Sequence, residues 1–367
     1  MRHASARPAI TSFALAALTA AAMLASNSSA ATLLGPDSLH VGGFVSTSYN
    51  VATHALDDRI VGRLYGGAQD QFTLNAFELG LDRAAATGMR DAGFTVRALF
   101  GTDATYIKAR GLDLGPQADL VQANLVLNLP AGHGDVQFTL GKMTSLLGVE
   151  VIESVANPNL SVGSQFIFLM DFTNTGLDVN WLPGGRWTAR ARVTNGWDVV
   201  DDNNRARSVE GRIGFAPDAK TSLALLGYTG AETTDNGRDL RKGGEFIATR
   251  DHGAGLFQIE LDYGRDDGVD ATWWGAGAWE TLHLGGSADL SLRADVVDDT
   301  DGARTGGALG FPATSGQQLT SGTVTLNLRE WPRALVRPEV RYDHSTQPSF
   351  AGNSDQWTFA LGAAFMF

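Results

Sequence analysis

Gln356-Trp357-Thr358-Phe359-Ala360-Leu361-Gly362-Ala363-Ala364-Phe365-Met366-Phe367 ends the chain. The stretch is about as long as one tilted membrane-spanning strand. Alternate residues of a strand share a face. Trp357, Phe359, Leu361, Ala363, Phe365 and Phe367 therefore lie together. Thr358, Ala360, Gly362 and Ala364 form the other face, small throughout, with Met366 at its end. A strand greasy on one side and small on the other fits a lipid-facing barrel wall. A last strand of a soluble sandwich is the competing reading, and the rest of the chain decides against it.

At the opposite end, Arg2 and Arg7 precede an apolar run over 10–24, followed by Ser28, Ser29, Ala30 and Ala31. This is the pattern of a secretory signal, 1–30, cleaved near Ala30 or Ala31. The run is Ala-rich and shorter than the ~20 residues of a helical span. No later stretch is apolar enough for one. The expected product is a barrel domain over 31–367. Past the inner membrane such a chain stays in the periplasm, leaves, or inserts in the bacterial outer membrane as a barrel, since only helices and closed barrels satisfy every backbone group in lipid. The closing aromatic, Phe367, resembles the signal read by the β-barrel assembly machinery there.

Composition agrees. Gly 44 with 19% charged residues is unusual for a soluble enzyme. A mean hydropathy of -0.07 is too low for a helical membrane protein. Cys 0 avoids cross-linking in the periplasm. A formal net charge of -12 argues against a nucleic-acid partner.

Period-two alternation predicts strands at 39–51, 71–84, 91–103, 118–129, 134–142, 174–182, 186–199 and 206–216. It continues at 220–230, 243–251, 254–264, 271–284, 287–298, 316–329, 333–344 and 355–367. Short gaps rich in Gly, Pro or Ala alternate with longer, more polar ones. That is the pattern of short periplasmic turns and longer outer loops. The fold predicted is all-β: a transmembrane antiparallel barrel of about sixteen strands, or about fourteen if 243–251 and 254–264 are misassigned. Trp181, Trp187, Trp197, Trp273, Trp279, Trp331 and Trp357 lie near strand ends, as interfacial girdles require.

The third outer loop, 143–173, is the longest gap. Val149, Val151, Ile152, Phe166 and Phe168 make it too apolar to float in water. Folded inward against the wall, it would narrow the pore. A loop covering an oligomer interface is the other reading.

Further residues carry a family resemblance. They are Gly141-Lys142, Leu147-Gly148-Val149-Glu150, Asn157-Pro158-Asn159-Leu160-Ser161, Thr175-Gly176 and Asn195-Gly196-Trp197-Asp198. Leu292-Arg293-Ala294-Asp295 and Arg337-Pro338-Glu339-Val340-Arg341-Tyr342-Asp343 continue the series. Together they resemble the OmpL-like β-barrel porin-2 family over most of the chain. The resemblance implies a passive outer-membrane porin. Asp171-Phe172-Thr173-Asn174 departs from it where a Pro and a His are expected, which leaves the loop's exit path open.

Strand parity turns Arg97, Arg190, Arg192, Arg212, Arg293, Arg337 and Arg341 inward. A guanidinium facing lipid near the bilayer centre costs ~2–4 kcal/mol. Glu150 and Glu153 lie on the loop expected to fold inward. Arg rows facing loop carboxylates would set a transverse field. Pairing along the wall opposes this: Glu210 with Arg212, Arg293 with Asp295, and Arg337 and Arg341 with Glu339 and Asp343. The lumen charge is then near balance, and ion selectivity weak. Arg190 and Arg192 lack an acid at the same-face positions Thr188 and Thr194. They are the expected free positive charges.

Enzymatic motifs, H-E-x-x-H, G-x-S-x-G or a phosphate-binding loop, are missing from the sequence. No catalytic, cofactor or metal site is expected. Asp298, Asp299 and Asp301 before Gly302 echo part of a calcium loop, but read better as an acidic rim toward lipopolysaccharide. The partners expected are outer-membrane lipid and lipopolysaccharide, the assembly machinery and small hydrophilic solutes. A homotrimer is compatible with the size. A diffusion porin is the function predicted, and a structural or adhesive barrel with a blocked lumen the alternative. A sixteen-strand wall is wide enough for water, which favours the porin.

Overall fold

The computed structural model describes residues 39–313 and 316–367. The expected leader, 1–30, lies outside the described residues. The first half of the wall is β1 (His40–Ala52), β2 (Gln71–Arg83), β3 (Asp91–Phe100), β4 (Ala118–Pro130), β5 (Asp135–Thr144), β6 (Thr173–Leu182), β7 (Trp187–Thr194) and β8 (Ser208–Asp218). The second half is β9 (Thr221–Gly230), β10 (Arg241–Asp251), β11 (Gly255–Asp266), β12 (Ala271–Gly285), β13 (Ala288–Asp299), β14 (Gln317–Leu328), β15 (Ala334–Ser345) and β16 (Asp355–Met366). Each strand pairs antiparallel with its sequence neighbours, and β1 pairs with β16, with Phe44 opposite Met366. The barrel is closed, with sixteen strands. The fourteen-strand alternative fails because β10 and β11 pair along their whole length, from Arg241↔Asp266 to Asp251↔Leu256.

Two strands end earlier than the alternation suggests. β3 stops at Phe100, where Gly101 takes φ +117° and a 3-10 turn follows at Asp103–Thr105. β7 stops at Thr194, before Gly196 (φ 123°) and Asp198 (φ 54°). Left-handed φ of this kind breaks the ladder. The remaining gaps alternate as expected. Short turns such as 131–134, 219–220 and 286–287 lie at the end shared with both termini of the wall. Long segments such as 53–70, 145–172 and 300–313 lie at the other.

Burial follows the pleat. On β16, Phe359 and Leu361 remain 52% and 53% exposed, while Gln356, Thr358 and Gly362 are buried. On β14, Gln317, Ser321, Thr323, Thr325 and Asn327 turn inward. The apolar face is thus the outer one, and a one-residue slip would reverse it. Trp181, Trp187, Trp331 and Trp357 are exposed outward, as a girdle requires. Trp197, Trp273 and Trp279 are buried instead. They fall on inward positions of their segments, which strand-end location alone does not reveal.

Candidate functional site: the charged inner face and residues 145–172

Residues 145–172 connect β5 to β6 and contain a 3-10 turn, Ser154–Ala156, and a short helix, Ser164–Phe168. Leu146, Leu147, Ile152, Val162, Phe166, Phe168, Leu169 and Met170 are buried in one cluster with Tyr65, Phe311 and Phe350. Ring centroids of Phe168 and Phe311 lie 5.8 Å apart, and those of Phe311 and Phe350 5.7 Å. Burial of these side chains supplies most of the segment's apolar stabilisation. Val151 stays 39% exposed and takes no part, contrary to expectation.

The backbone of the segment has few partners of its own, so the wall supplies them. At the tip, Arg212 Nη1 donates to the Leu146 carbonyl at 2.6 Å. Gly148 N donates to Glu245 at 2.6 Å and Val149 N to Glu260 at 2.5 Å. Further along, Arg337 donates to the carbonyls of Ser154 (2.9 Å) and Asn157 (2.6 Å). Glu339 accepts from Leu160 N at 2.7 Å and Ser161 N at 3.1 Å. Arg341 donates to Val162 O at 2.6 Å, and Asp295 accepts from Ser164 N at 3.1 Å. Gln165 Nε2 donates to Asp262 at 2.6 Å. Charge-assisted bonds of this kind are about twice as strong as neutral ones.

Small wall residues make room for the segment. A Cβ on Gly362 would stand 2.5 Å from Leu160 Cδ1, and one on Gly275 2.5 Å from Leu169 Cδ1. A Cβ on Gly277 would stand 2.1 Å from Gln165 Oε1. The small inner face of β16 thus has a packing reason at Gly362.

The exit of the segment is pinned twice. Ser145 Oγ donates to Asp171 at 2.7 Å. Asp198 accepts from Phe172 N at 2.8 Å and Thr173 N at 2.9 Å. Burial, then the nearby charge of Asp171, pushes the Asp198 carboxyl up to about 7. Burial also pushes Asp103, in the turn after β3, up to about 7, against a hydrogen bond from Asn75. Glu245, Glu260 and Asp262 offer oxygens within 4.8 Å of one another, a spacing a shared cation could bridge. Each already accepts a hydrogen bond from the segment.

The family model of beta-barrel porin-2, OmpL-like, matches residues 38–367. The chain belongs to that porin family. No curated protein matches it in sequence. Among solved structures it resembles the anion-selective porin from Comamonas acidovorans, at 13% identity and a TM-score of 0.62, covering 90% of this chain and 99% of that one. The outer membrane channel DcaP of Acinetobacter baumannii gives the same identity, TM-score and coverage of this chain, and 97% of its own. OmpT of Vibrio cholerae in its trimer form matches at 11% identity with a TM-score of 0.59, over 90% of this chain and 99% of that one. These likenesses show the fold. The family and the fold point to the bacterial outer membrane.

The porin's charged residues pair differently from the same-strand reading. Arg293 does reach Asp295 (3.1 Å), and Arg341 reaches Asp343 (2.8 Å). Arg293 also binds Glu150 at 2.8 Å, so this loop carboxylate is neutralised rather than facing a free row of arginines. Arg97 pairs with Glu78 at 3.0 Å. Arg190 and Arg192 are not free: both bind Asp178, at 2.8 and 3.1 Å. Asp178 lies directly across the β6–β7 ladder from Arg192, a relation that one strand cannot reveal. Glu210 lies 3.7 Å from Arg192 rather than pairing with Arg212. Arg337 bonds to Asn327 and to carbonyls, not to Glu339. Glu153 is half-buried, with no ion pair among the described residues. Asp299 is no rim carboxylate; it is buried, accepting from Arg304 N and Thr305 N.

Sequence reasoning missed Asp178, Glu245, Glu260, Asp262 and Asn159. The first four fall on inward positions of their strands, so parity could have found them. Asn159 is buried with Nδ2 2.7 Å from Thr325 Oγ1, and nothing in its local sequence signals that.

Proposed function

We propose that this porin gives small hydrophilic solutes passive passage across the bacterial outer membrane, through an aqueous pore that residues 145–172 narrow from within. The observation that carries the reading is the bonding of this one segment to inward side chains of β8, β10, β11, β13 and β15. A segment on the outer surface could not reach so many inward faces of a closed wall. The seven inward arginines then act in three ways, and Glu150 pairs with one of them, Arg293. Arg293, Arg337 and Arg341 anchor the segment; Arg212 also holds it at the Leu146 carbonyl and, like Arg97 and Arg190, keeps partial exposure toward the open side. Arg192 shares Asp178 with Arg190 and stiffens the wall.

The leader over 1–30 would direct export, and Phe367 would present the assembly signal. Lipid and lipopolysaccharide would surround the outer face. The trimer form of OmpT supports a homotrimer as the assembly to test. Liposomes holding the purified protein should swell in isosmotic small sugars, faster for smaller ones. Absence of swelling with folded protein would favour the second reading, a sealed barrel acting through its outer loops. The packing of Phe168, Phe311 and Phe350 across three long segments speaks for that alternative.

Short turns should face the periplasm. An epitope tag at Gly306 is expected to be reachable on intact cells, and one at Asp218 is not. Labelling at Asp218 alone would invert the orientation.

A further inference from the structure

A cavity of about 420 Å3 lies beneath the tip Gly148–Val149, toward the short-turn end of β7–β11. Its lining contains two charged residues, Arg186 and Arg212, and no carboxylate. That is a local reversal in a chain whose formal net charge is -12. Among the described residues, neither arginine has a carboxylate within 4.0 Å. Three nearby acids make their closest bonds elsewhere, although Glu245 and Glu260 still act on Arg212 through space from beyond 4.0 Å. Asp178 binds Arg190 and Arg192. Glu245 and Glu260 accept the N–H groups of Gly148 and Val149. Arg190 stands directly opposite Arg212 across the β7–β8 ladder, but its pairing with Asp178 leaves Arg212 and Arg186, among the described residues, as the cations facing the cavity without an ion pair.

Arg212 spends one nitrogen on the Leu146 carbonyl. A guanidinium has about five N–H donors in a fixed fork, so others remain for a planar anion. Thr188, Thr249 and Gln258 add hydroxyl and amide groups to the lining. Val149, Ala224 and Ile247 give it an apolar side. Ala224 and Ile247 are cross-strand neighbours, so that side is continuous. A bare inorganic anion would leave the apolar side unused.

We infer that this cavity is a subsite for a small organic carboxylate, its head on Arg212 and Arg186 and its apolar body along Ala224, Ile247 and Val149. The inference rests on the channel reading for its place in transport, but binding itself does not require an open pore. Arg186 lies in the turn before β7, so the carboxylate would meet it at the short-turn end of the passage.

Calorimetric titration of the full-length protein in detergent tests this, with sodium benzoate as probe, benzamide as its neutral counterpart and inorganic phosphate as the bare anion. Benzoate should give saturable heat above the micelle blank, at least tenfold tighter than benzamide or phosphate. Arg212→Ser should weaken benzoate at least tenfold, and Arg212→Lys less, because the charge stays and the fork is lost. Arg186→Ser should weaken it several-fold. Arg186 is exposed and none of its side-chain bonds holds the segment, so this variant keeps the test alive if Arg212→Ser does not fold. Equal binding of benzoate and benzamide, phosphate as tight as benzoate, no saturable heat, or unaltered affinity in folded Arg212→Ser or Arg186→Ser would each overturn the subsite. Conductance measured on the same preparation separates the two claims. A conducting barrel that ignores benzoate loses the subsite alone. A sealed barrel that binds it keeps the subsite and loses the channel.

Discussion

Replacing residues 151–166 with a short Gly/Ser linker is expected to raise single-channel conductance several-fold while the barrel still forms. The wall closes through its own ladders, from β1–β2 round to β1–β16, and none of those hydrogen bonds comes from the replaced residues. Backbone pairing of this kind is what membrane insertion demands. The replacement removes Asn157, Leu160, Ser161 and Val162, whose main-chain groups occupy Arg337, Glu339 and Arg341. Those side chains would then meet water rather than being left dry, so the penalty of an unpaired buried charge does not arise. Cross-sectional space is gained where Leu160 and Gln165 lie over Gly362 and Gly277. Planar-bilayer recording and heat-modifiable migration on gels would measure both halves of the claim. A folded variant with wild-type conductance would mean that the segment does not narrow the path.

Arg293→Met should have the largest effect on stability of any single change to the inner wall. Arg293 is buried and bonds at once to Glu150, Asp295, the Ser161 carbonyl and Thr323. Methionine fills similar space but leaves Glu150 and Asp295 without their cation. Breaking a buried pair by removing one partner costs ~3–5 kcal/mol. Glu150 would still accept from Gly163 N, which offsets part of the loss. Adding Glu150→Gln should therefore restore part of the stability, because it removes one of the stranded charges. Urea unfolding in lipid vesicles would report it. Equal urea midpoints for wild type and Arg293→Met would show that the network does not hold the segment in place.

Strand number and alternation could be read from the sequence because each depends on spacing along one strand. Trp357, Phe359 and Leu361 face outward for the reason their pattern implies. Pairing could not be read in the same way. Asp178 takes both Arg190 and Arg192 because the β6–β7 register brings it opposite Arg192, and register is a relation between strands. The partners of residues 145–172 were hidden for a second reason: they bond to backbone, and a carbonyl or N–H carries no sequence signature. Arg337 illustrates this, since Glu339 lies two positions away yet serves Leu160 N and Ser161 N. Gly275, Gly277 and Gly362 read as ordinary strand glycines until the segment above them is placed. Trp273 and Trp279 look like girdle residues by position, but strand parity turns them inward, and both are buried.

The central claim is that this wall encloses a water-filled passage, and single-channel recording of the purified, folded full-length protein in a planar bilayer tests it most directly. The account predicts discrete conductance steps, reproducible in size and growing with salt concentration. A bilayer that stays silent while the protein migrates as a folded, heat-modifiable barrel would contradict it.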